Sequence, residues 1–356
     1  MSARSVIENL DREKYNVIPL YVSRDGQWLP PGEATKQIQA ADVKTLQTTG
    51  FEVELGLALV PGVADKPGRW QGGTAELDNI DIIFPVVHGT YGEDGTLQGM
   101  LEMAGIPYVG AGVLASALGM DKALMKAVCQ QADIPVLPAF TLTRGRWEGT
   151  QGAKREELLA QIEDIAGYPA FVKPCNLGSS VGISKVRDRE ELRAGIEDAA
   201  RFDRKILIEK GLESPREIEL AVLGNDHPEV SSPGEIIHSG DFYDYETKYF
   251  QTEGQTTQIP ADLSQEQTKR LQDLAIETFL ALDLNGLSRV DFLMDAKGDN
   301  SIYLNEVNTM PGFTPISMYS MMWRASGRPY TQLLDDLIAL GLERHKDRTR
   351  NQTSPV

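Results

Sequence analysis

Two stretches constrain this chain more than any other: Ser288-Arg289-Val290-Asp291-Phe292 and, shortly after it, Leu304-Asn305-Glu306-Val307-Asn308-Thr309-Met310-Pro311-Gly312. An acidic residue ends one strand, and a carboxylate and an amide lie two apart on the next. Residues i and i+2 of a strand point to the same face. Glu306 and Asn308 therefore converge on one spot, and a hairpin partner brings Asp291 to it. Three hard oxygen ligands on one rigid sheet suit Mg²⁺, which takes one or two carboxylates and fills its shell with water and nucleotide phosphates. Taken alone, the same pattern also describes a polar hairpin edge.

The 356 residues, 41% of them hydrophobic, are enough for more than one core, so two or three domains are expected. A formal net charge of −17 makes the chain a poor partner for nucleic acid or an anionic membrane, both of which need a basic face. No apolar run approaches the length of a membrane span, and the first ten residues hold no signal-peptide apolar region. The two cysteines, Cys129 and Cys175, lack metal-type spacing and fit a cytoplasmic protein with reduced thiols. Only four histidines are present, which argues against a zinc hydrolase.

Alternating patterns predict an α/β fold. A short amphipathic helix over 1–14 precedes strands at Val17–Val22 and Asp81–Val87, a helix at Thr96–Ala104 and a short strand at Pro107–Val109. That order predicts a parallel sheet with helices on its faces over residues 1–110. A second α/β region, 111–213, carries a helix at Ala115–Ala132, strands at Ala139–Thr143 and Ala170–Lys173, and an acidic helix around 154–166. The third, 214–345, holds strands at Glu217–Leu223, Gly234–His238, Ser288–Met294 and Ser301–Asn305, a long helix at 264–282 and a closing helix at Tyr330–Arg344. Residues 346–356 are polar and expected to be disordered.

The strongest nucleotide signal is Phe171-Val172-Lys173-Pro174-Cys175-Asn176-Leu177-Gly178-Ser179-Ser180-Val181-Gly182. A lysine ends a strand, and small residues that follow let backbone N–H groups approach phosphate oxygens. The lysine precedes the glycines, so this is not a Walker A loop; a tight hairpin turn has the same composition. Lys122 by itself reads as a surface lysine. The apolar strand Ile206-Leu207-Ile208-Glu209 runs into Lys210-Gly211-Leu212, a connection whose backbone suits an adenine edge, with Glu217 in reach of ribose hydroxyls. An ordinary strand end fits those residues too.

The order of these pieces resembles the ATP-grasp superfamily: Lys122, Lys173 with its Gly/Ser loop, Glu209 to Leu212, Arg289-Val290-Asp291, then Glu306-Val307-Asn308. Within it the chain resembles the D-alanine–D-alanine ligase family. That likeness is carried further by His88-Gly89-Thr90-Tyr91-Gly92-Glu93-Asp94-Gly95, by Asp241-Phe242-Tyr243-Asp244-Tyr245-Glu246-Thr247-Lys248-Tyr249 and by Asn308-Thr309-Met310-Pro311-Gly312-Phe313-Thr314. It runs from residue 1 to about 344.

The resemblance implies a three-domain ATP-grasp ligase: a Rossmann-like N-terminal domain lacking its first strand, a central α+β lobe and a C-terminal α+β catalytic lobe. ATP would lie between two sheets, with Lys122 and Lys173 on its phosphates, Glu209 and Leu212 at adenine, Glu217 at the ribose and Lys248 at the γ-phosphate. Asp291, Glu306 and Asn308 would bind two Mg²⁺ or Mn²⁺ ions. Arg289 and the N–H of Gly312 would stabilise the tetrahedral oxyanion, Ser317 would hold the second D-alanine, and His88 and Ser179 would sit at the first. Tyr249, paired with Ser179, suits an amine nucleophile and so favours D-alanine over D-lactate. The implied substrates are ATP and D-alanine, the implied product is a dipeptide for peptidoglycan, and the implied assembly is a homodimer. The alternatives are a D-alanine–D-lactate or D-alanine–D-serine ligase, and a truncated ATP-binding protein without ligase activity.

One departure stands out. Family members open with a strand, a glycine-rich loop and a glutamate that holds the first D-alanine's ammonium, and Met1-Ser2-Ala3-Arg4-Ser5 matches the helix after them. The expectation is that the natural polypeptide begins roughly 20–30 residues upstream, the span of such a strand, loop and helix entry. The intact mass of the native protein checks this: an N-terminus at Met1 or Ser2 sinks it.

Overall fold

Burial on both faces of one sheet organises the C-terminal half. Strands β7 (Arg216–Gly224), β8 (Glu229–Val230), β9 (Gly234–His238), β10 (Gln255–Gln258), β11 (Gly286–Met294) and β12 (Ile302–Asn308) form an antiparallel sheet in the order β10-β9-β7-β11-β12, with β8 on β7. The computed structural model describes residues 2–22, 28–29, 34, 36, 80–178, 181–238 and 255–352 of the chain.

Helix α8 (Gln265–Ala281) covers one face of this sheet. Ser264 and Gln267 start it with a reciprocal capping box. Its buried Leu271, Leu274, Ala275 and Phe279 recur at helical spacing and pack on Ile218, Leu220, Val290, Phe292 and Leu304. The opposite face is divided. Its apolar half, Ala221, Leu223 and Leu287, lies under helices α9 (Met318–Ala325) and α10 (Tyr330–Arg348). Its other half carries Glu217, Glu219, Arg289 and Asp291, at the alternate positions that continue the same face.

The central lobe is a four-stranded antiparallel sheet, β3 (Ala139–Thr143), β6 (Lys205–Lys210), β4 (Ala170–Pro174) and β5 (Ser184–Val186), in the order β3-β6-β4-β5. Helices α6 (Ala153–Ala166) and α7 (Arg189–Phe202) cover the face that bears Val172, Ile206 and Ile208. Lys173, Leu207 and Glu209 therefore point to the other side. Helix α5 (Arg144–Gly149) links β3 to α6.

Several expectations change. The single helix predicted over 115–132 is two, α3 (Val113–Met120) and α4 (Lys122–Gln131). Asp121 between them is extended (φ −84°, ψ 95°), and its side chain accepts from Leu124 N at 3.1 Å, capping α4. A cap of this kind starts a helix by satisfying an N–H that lacks an intrahelical partner. The other Asp121 oxygen pairs with Lys205 of β6. Helices α7 and α9 were not anticipated; α7 buries only a thin stripe, Leu192, Ile196 and Ala199, in a strongly charged run. The closing helix reaches Arg348 rather than Arg344. In the N-terminal region α1 spans Ser2–Asn9, the strand expected at 17–22 is reduced to β1 (Tyr21–Val22), which pairs antiparallel with β2 (Trp28–Leu29), and α2 covers Thr96–Met103. Among the described residues there, the expected parallel pairing is one bridge, Ile83 to Tyr108, closed by Ile83 N to Pro107 O and Val109 N to Ile83 O, each 2.9 Å.

Asp121→Ala removes a helix cap and leaves Lys205 without its carboxylate. Loss of such a cap alone costs about 0.5–2 kcal/mol, and urea unfolding is expected to show at least that. An unchanged midpoint would show that Asp121 does not hold the start of α4.

Candidate active site

Three acidic side chains stand in register on three neighbouring strands. Asp291 on β11 faces Glu219 on β7 to one side and Glu306 on β12 to the other, and Arg289 faces Asn308. The convergence of Asp291, Glu306 and Asn308 expected from the alternation is what the ladder shows. Arg289 threads the row. Its Nε and Nη2 donate to Asp291 at 2.8 and 2.7 Å, and its Nε lies 3.1 Å from Glu219 Oε2. Burial works against a charge here, yet Asp291 and Glu219 together hold the guanidinium well above its usual range. Asn308 Nδ2 donates to Asp291 at 2.9 Å, which turns its carbonyl oxygen to other partners.

The ladder breaks between Asp291 and Phe292, whose partners are Glu306 and Leu304. Asn305 is the extra residue of a β-bulge, which re-aims side chains locally. As a result Asn305 and Glu306, although consecutive, both line one open cleft with Glu217, Glu219 and Asp291. Sequence alternation missed Asn305. Its signal was the apolar spacing Ile302, Leu304, Val307, which slips from two to three.

The lysines come from the central lobe. Lys122 opens α4, and its ammonium donates to Leu177 O at 2.8 Å and lies 3.4 Å from Glu306 Oε2. Its own N–H donates to Cys175 O at 3.1 Å, so the helix start and the segment that follows β4 are tied together. Lys173 donates to Glu209 Oε2 at 2.8 Å and to Asn305 Oδ1 at 3.3 Å. A third lysine was not singled out from sequence: Lys126, buried on α4, lies 2.5 Å from Glu209 Oε1 and donates to Leu304 O at 3.0 Å. Its i, i+4 spacing from Lys122 was the available clue. Burial pushes the Lys126 pKa down. It pushes that of Glu209 up, but the two ammonium groups hold the carboxylate below its ordinary range. Glu209, expected at adenine, thus meets two lysines, and Leu212 follows it half-buried. Cys175 inside the loop is fully buried with its thiol pushed up to about 12, so it is a packing residue rather than a reactive one.

The loop after β12 is held from the N-terminal region. His88 Nδ1 meets Met310 O at 2.9 Å, and burial lowers the histidine's pKa. Glu93 Oε1 accepts from Met310 N at 3.1 Å, and its other oxygen accepts from Gly89 N. Burial raises Glu93 to about 7 against those two donors. No role had been read for it. Phe313, completely buried among Phe84, Tyr319 and Tyr330, anchors the same loop. Ser317 Oγ accepts from Thr314 N at 3.0 Å, and a Cβ on Gly312 would stand 3.4 Å from it.

Two family models cover most of the chain: that of the D-ala D-ala ligase N-terminus matches residues 1–111, and that of the D-ala D-ala ligase C-terminus matches 128–339. The chain belongs to the D-alanine–D-alanine ligase family. A D-alanine–D-alanine ligase of Heliobacterium modesticaldum is 45% identical over 352 residues, 99% of this chain and 92% of that relative. One from Geobacillus thermodenitrificans is 45% identical over 349 residues, 98% of this chain and 92% of its own. Among solved structures, the D-alanine-D-alanine ligase from Coxiella burnetii superposes with a TM-score of 0.76 at 36% identity, covering 98% of this chain and 90% of that one. The VanG D-Ala:D-Ser ligase from Enterococcus faecalis gives 0.76 at 34% identity, covering 96% and 94%. Three positions expected to serve a D-alanine–D-alanine ligase, Ser179, Lys248 and Tyr249, lie outside the described residues. No helix among the described residues is long and apolar enough to cross a membrane.

Glu93 carries a testable pH signature. Its ordinary pKa is 4.5 and its folded value about 7. Between those values the folded chain keeps a proton that the unfolded chain has released, so stability falls as pH rises through the window. Glu93→Gln is expected to flatten that fall, which for this shift is on the order of 2–3 kcal/mol. Urea unfolding at steps from about pH 4.5 to about 7.5 measures it, and an identical slope in the variant would refute the assignment.

Proposed function

We propose that this chain joins two D-alanine molecules at the expense of ATP, through a D-alanyl phosphate, to give D-alanyl-D-alanine, ADP and phosphate for peptidoglycan. The observation that carries the reading is the row Glu219–Asp291–Glu306 set opposite Lys122 and Lys173, in a chain of this family. The carboxylate of the first D-alanine attacks the γ-phosphate of ATP; both are anions, so cations must offset their repulsion. Lys122 and Lys173 supply that charge on the phosphates, and Lys248 adds to it at the γ-position. The amine of the second D-alanine then attacks the acyl carbon, and phosphate leaves. Arg289, held in place by two carboxylates, and the N–H of Gly312 stabilise the tetrahedral oxyanion.

Glu209 and Leu212 border adenine, and Glu217 in the cleft takes the ribose. Ser317 holds the carboxylate of the second D-alanine. His88 serves the first, together with Ser179 and Tyr249.

The donor set also fits a divalent ion. Asp291 and Glu306 are directly opposed carboxylates, and Asn308 has committed its amide N–H to Asp291 and keeps its carbonyl oxygen as a donor. All three are hard oxygen ligands of the kind that hold Mg²⁺ or Mn²⁺. The ions would supply Lewis-acid charge on the phosphate oxygens.

The test is phosphate release from ATP with magnesium chloride, with and without D-alanine, and identification of the product. D-Alanine-dependent release with dipeptide formation is expected. ATP binding without such release, or release driven only by D-lactate or D-serine, would overturn the reading. Arg289→Met is expected to lower turnover about 10²–10³-fold, the usual loss for an oxyanion donor; near-normal turnover would remove Arg289 from that role.

A further inference from the structure

Glu209 holds more cation than it needs. Its carboxylate is almost completely buried at the end of β6, and it receives Lys126 on one oxygen at 2.5 Å and Lys173 on the other at 2.8 Å. One negative charge between two ammonium groups leaves a local excess of one positive charge, and the two lysines repel each other. The lysines are not equivalent. Lys126 is fixed by the body of α4 and by its bond to Leu304 O on β12. Lys173 is the last residue but one of β4, and its second bond is a long one, 3.3 Å to Asn305 Oδ1.

We propose that Lys126 is a positioning residue of the nucleotide site: by neutralising Glu209 it leaves Lys173 able to turn from that carboxylate to the phosphate chain. A carboxylate buried without a partner is costly, and breaking a buried pair by removing one member penalises the charge left behind. Without Lys126, Glu209 depends on Lys173 alone. An incoming phosphate must then strip Lys173 from its only buried counter-charge. With Lys126 in place the exchange leaves no carboxylate exposed to that penalty, and the phosphate balances the excess positive charge. The bond to Leu304 O places this counter-charge where the central lobe meets β12, next to Asn305 and Glu306. This inference rests on the phosphate role proposed above for Lys173.

The experiment compares ADP with adenosine by titration calorimetry in magnesium chloride, on the full chain. The readout is the ratio of their affinities, because a general loosening of the pocket would weaken both ligands alike. In Lys126→Met the ADP-over-adenosine ratio is expected to fall about 10-fold or more, the worth of one charged hydrogen bond. In Lys126→Met/Glu209→Gln no carboxylate competes for Lys173, and the ratio is expected to return to within about threefold of the natural chain. Thermal melting reports whether each variant is folded. If Lys126→Met does not fold, the double variant decides alone: a natural ratio supports the proposal and a collapsed one overturns it. An unchanged ratio in Lys126→Met, or an equal collapse in both variants, also overturns it. If the natural chain itself does not distinguish ADP from adenosine, the phosphate role of Lys173 fails, and this inference with it; if it does, and Lys126→Met does so equally, only the inference fails.

Discussion

Like charges placed side by side on adjacent strands repel, and Glu219, Asp291 and Glu306 are placed so across β7, β11 and β12. The site depends on Arg289, which sits two residues before Asp291 on the same face and spends its planar fork on Asp291 while its Nε reaches toward Glu219. The guanidinium makes the acidic row tenable inside the fold. It also fixes a buried cation in the middle of that row. The lysines repeat this balance on the other lobe, with Lys122 beside Glu306 and Lys126 and Lys173 about Glu209. Opposed charges thus line the cleft where the two lobes meet, beside a buried apolar contact in which Met125, Cys129 and Ile134 join the core of the C-terminal sheet.

The apolar part of the molecule serves that arrangement by keeping it still. One face of the C-terminal sheet is packed under α8 together with Ala115 of α3 and Met125 and Cys129 of α4. The other is packed only as far as Ala221, Leu223 and Leu287, and the charged half begins one alternation later. The loop carrying Gly312 and Ser317 is pinned at Phe313, whose ring is shared by three other aromatic rings, and at Met310, gripped by His88 and Glu93. A loop whose side chains are fixed in this way holds its backbone N–H groups in place as well.

Much of this was legible beforehand because strand alternation is strict. Asp291, Glu306 and Asn308 could be placed on one spot from parity alone, and the strands at 139–143, 170–174, 234–238 and 286–294 follow apolar runs between turns. What stayed hidden depended on partners far away in the chain. Beyond its i, i+4 spacing from Lys122, nothing in the sequence marks Lys126, because its carboxylate lies 83 positions on, at Glu209. Glu93 reads as one more polar residue in a glycine-rich stretch until Met310 closes over it. The break at Asp121 was concealed by an apolar periodicity that continues through it, although the Asp-Lys pair after Gly119-Met120 is a plausible cap. The parallel sheet read over 1–110 came from 17–22, 81–87 and 107–109, where among the described residues the only parallel pairing is the Ile83–Tyr108 bridge and β1 pairs antiparallel with β2.

The extra residue in β12 separates two tasks that a regular strand would force to share positions. In a plain strand every second side chain serves the cleft and the rest serve the core, so a neighbour of Glu306 would be committed to packing. Here Leu304 and Val307 keep the core, Glu306 keeps its place opposite Asp291, and Asn305 is surplus to both. That surplus residue is the one that reaches Lys173. The hairpin can therefore hold its acidic residues in strict register while a side chain that owes nothing to the ladder adds a link to the neighbouring lobe beside those of Glu306 to Lys122 and Leu304 O to Lys126.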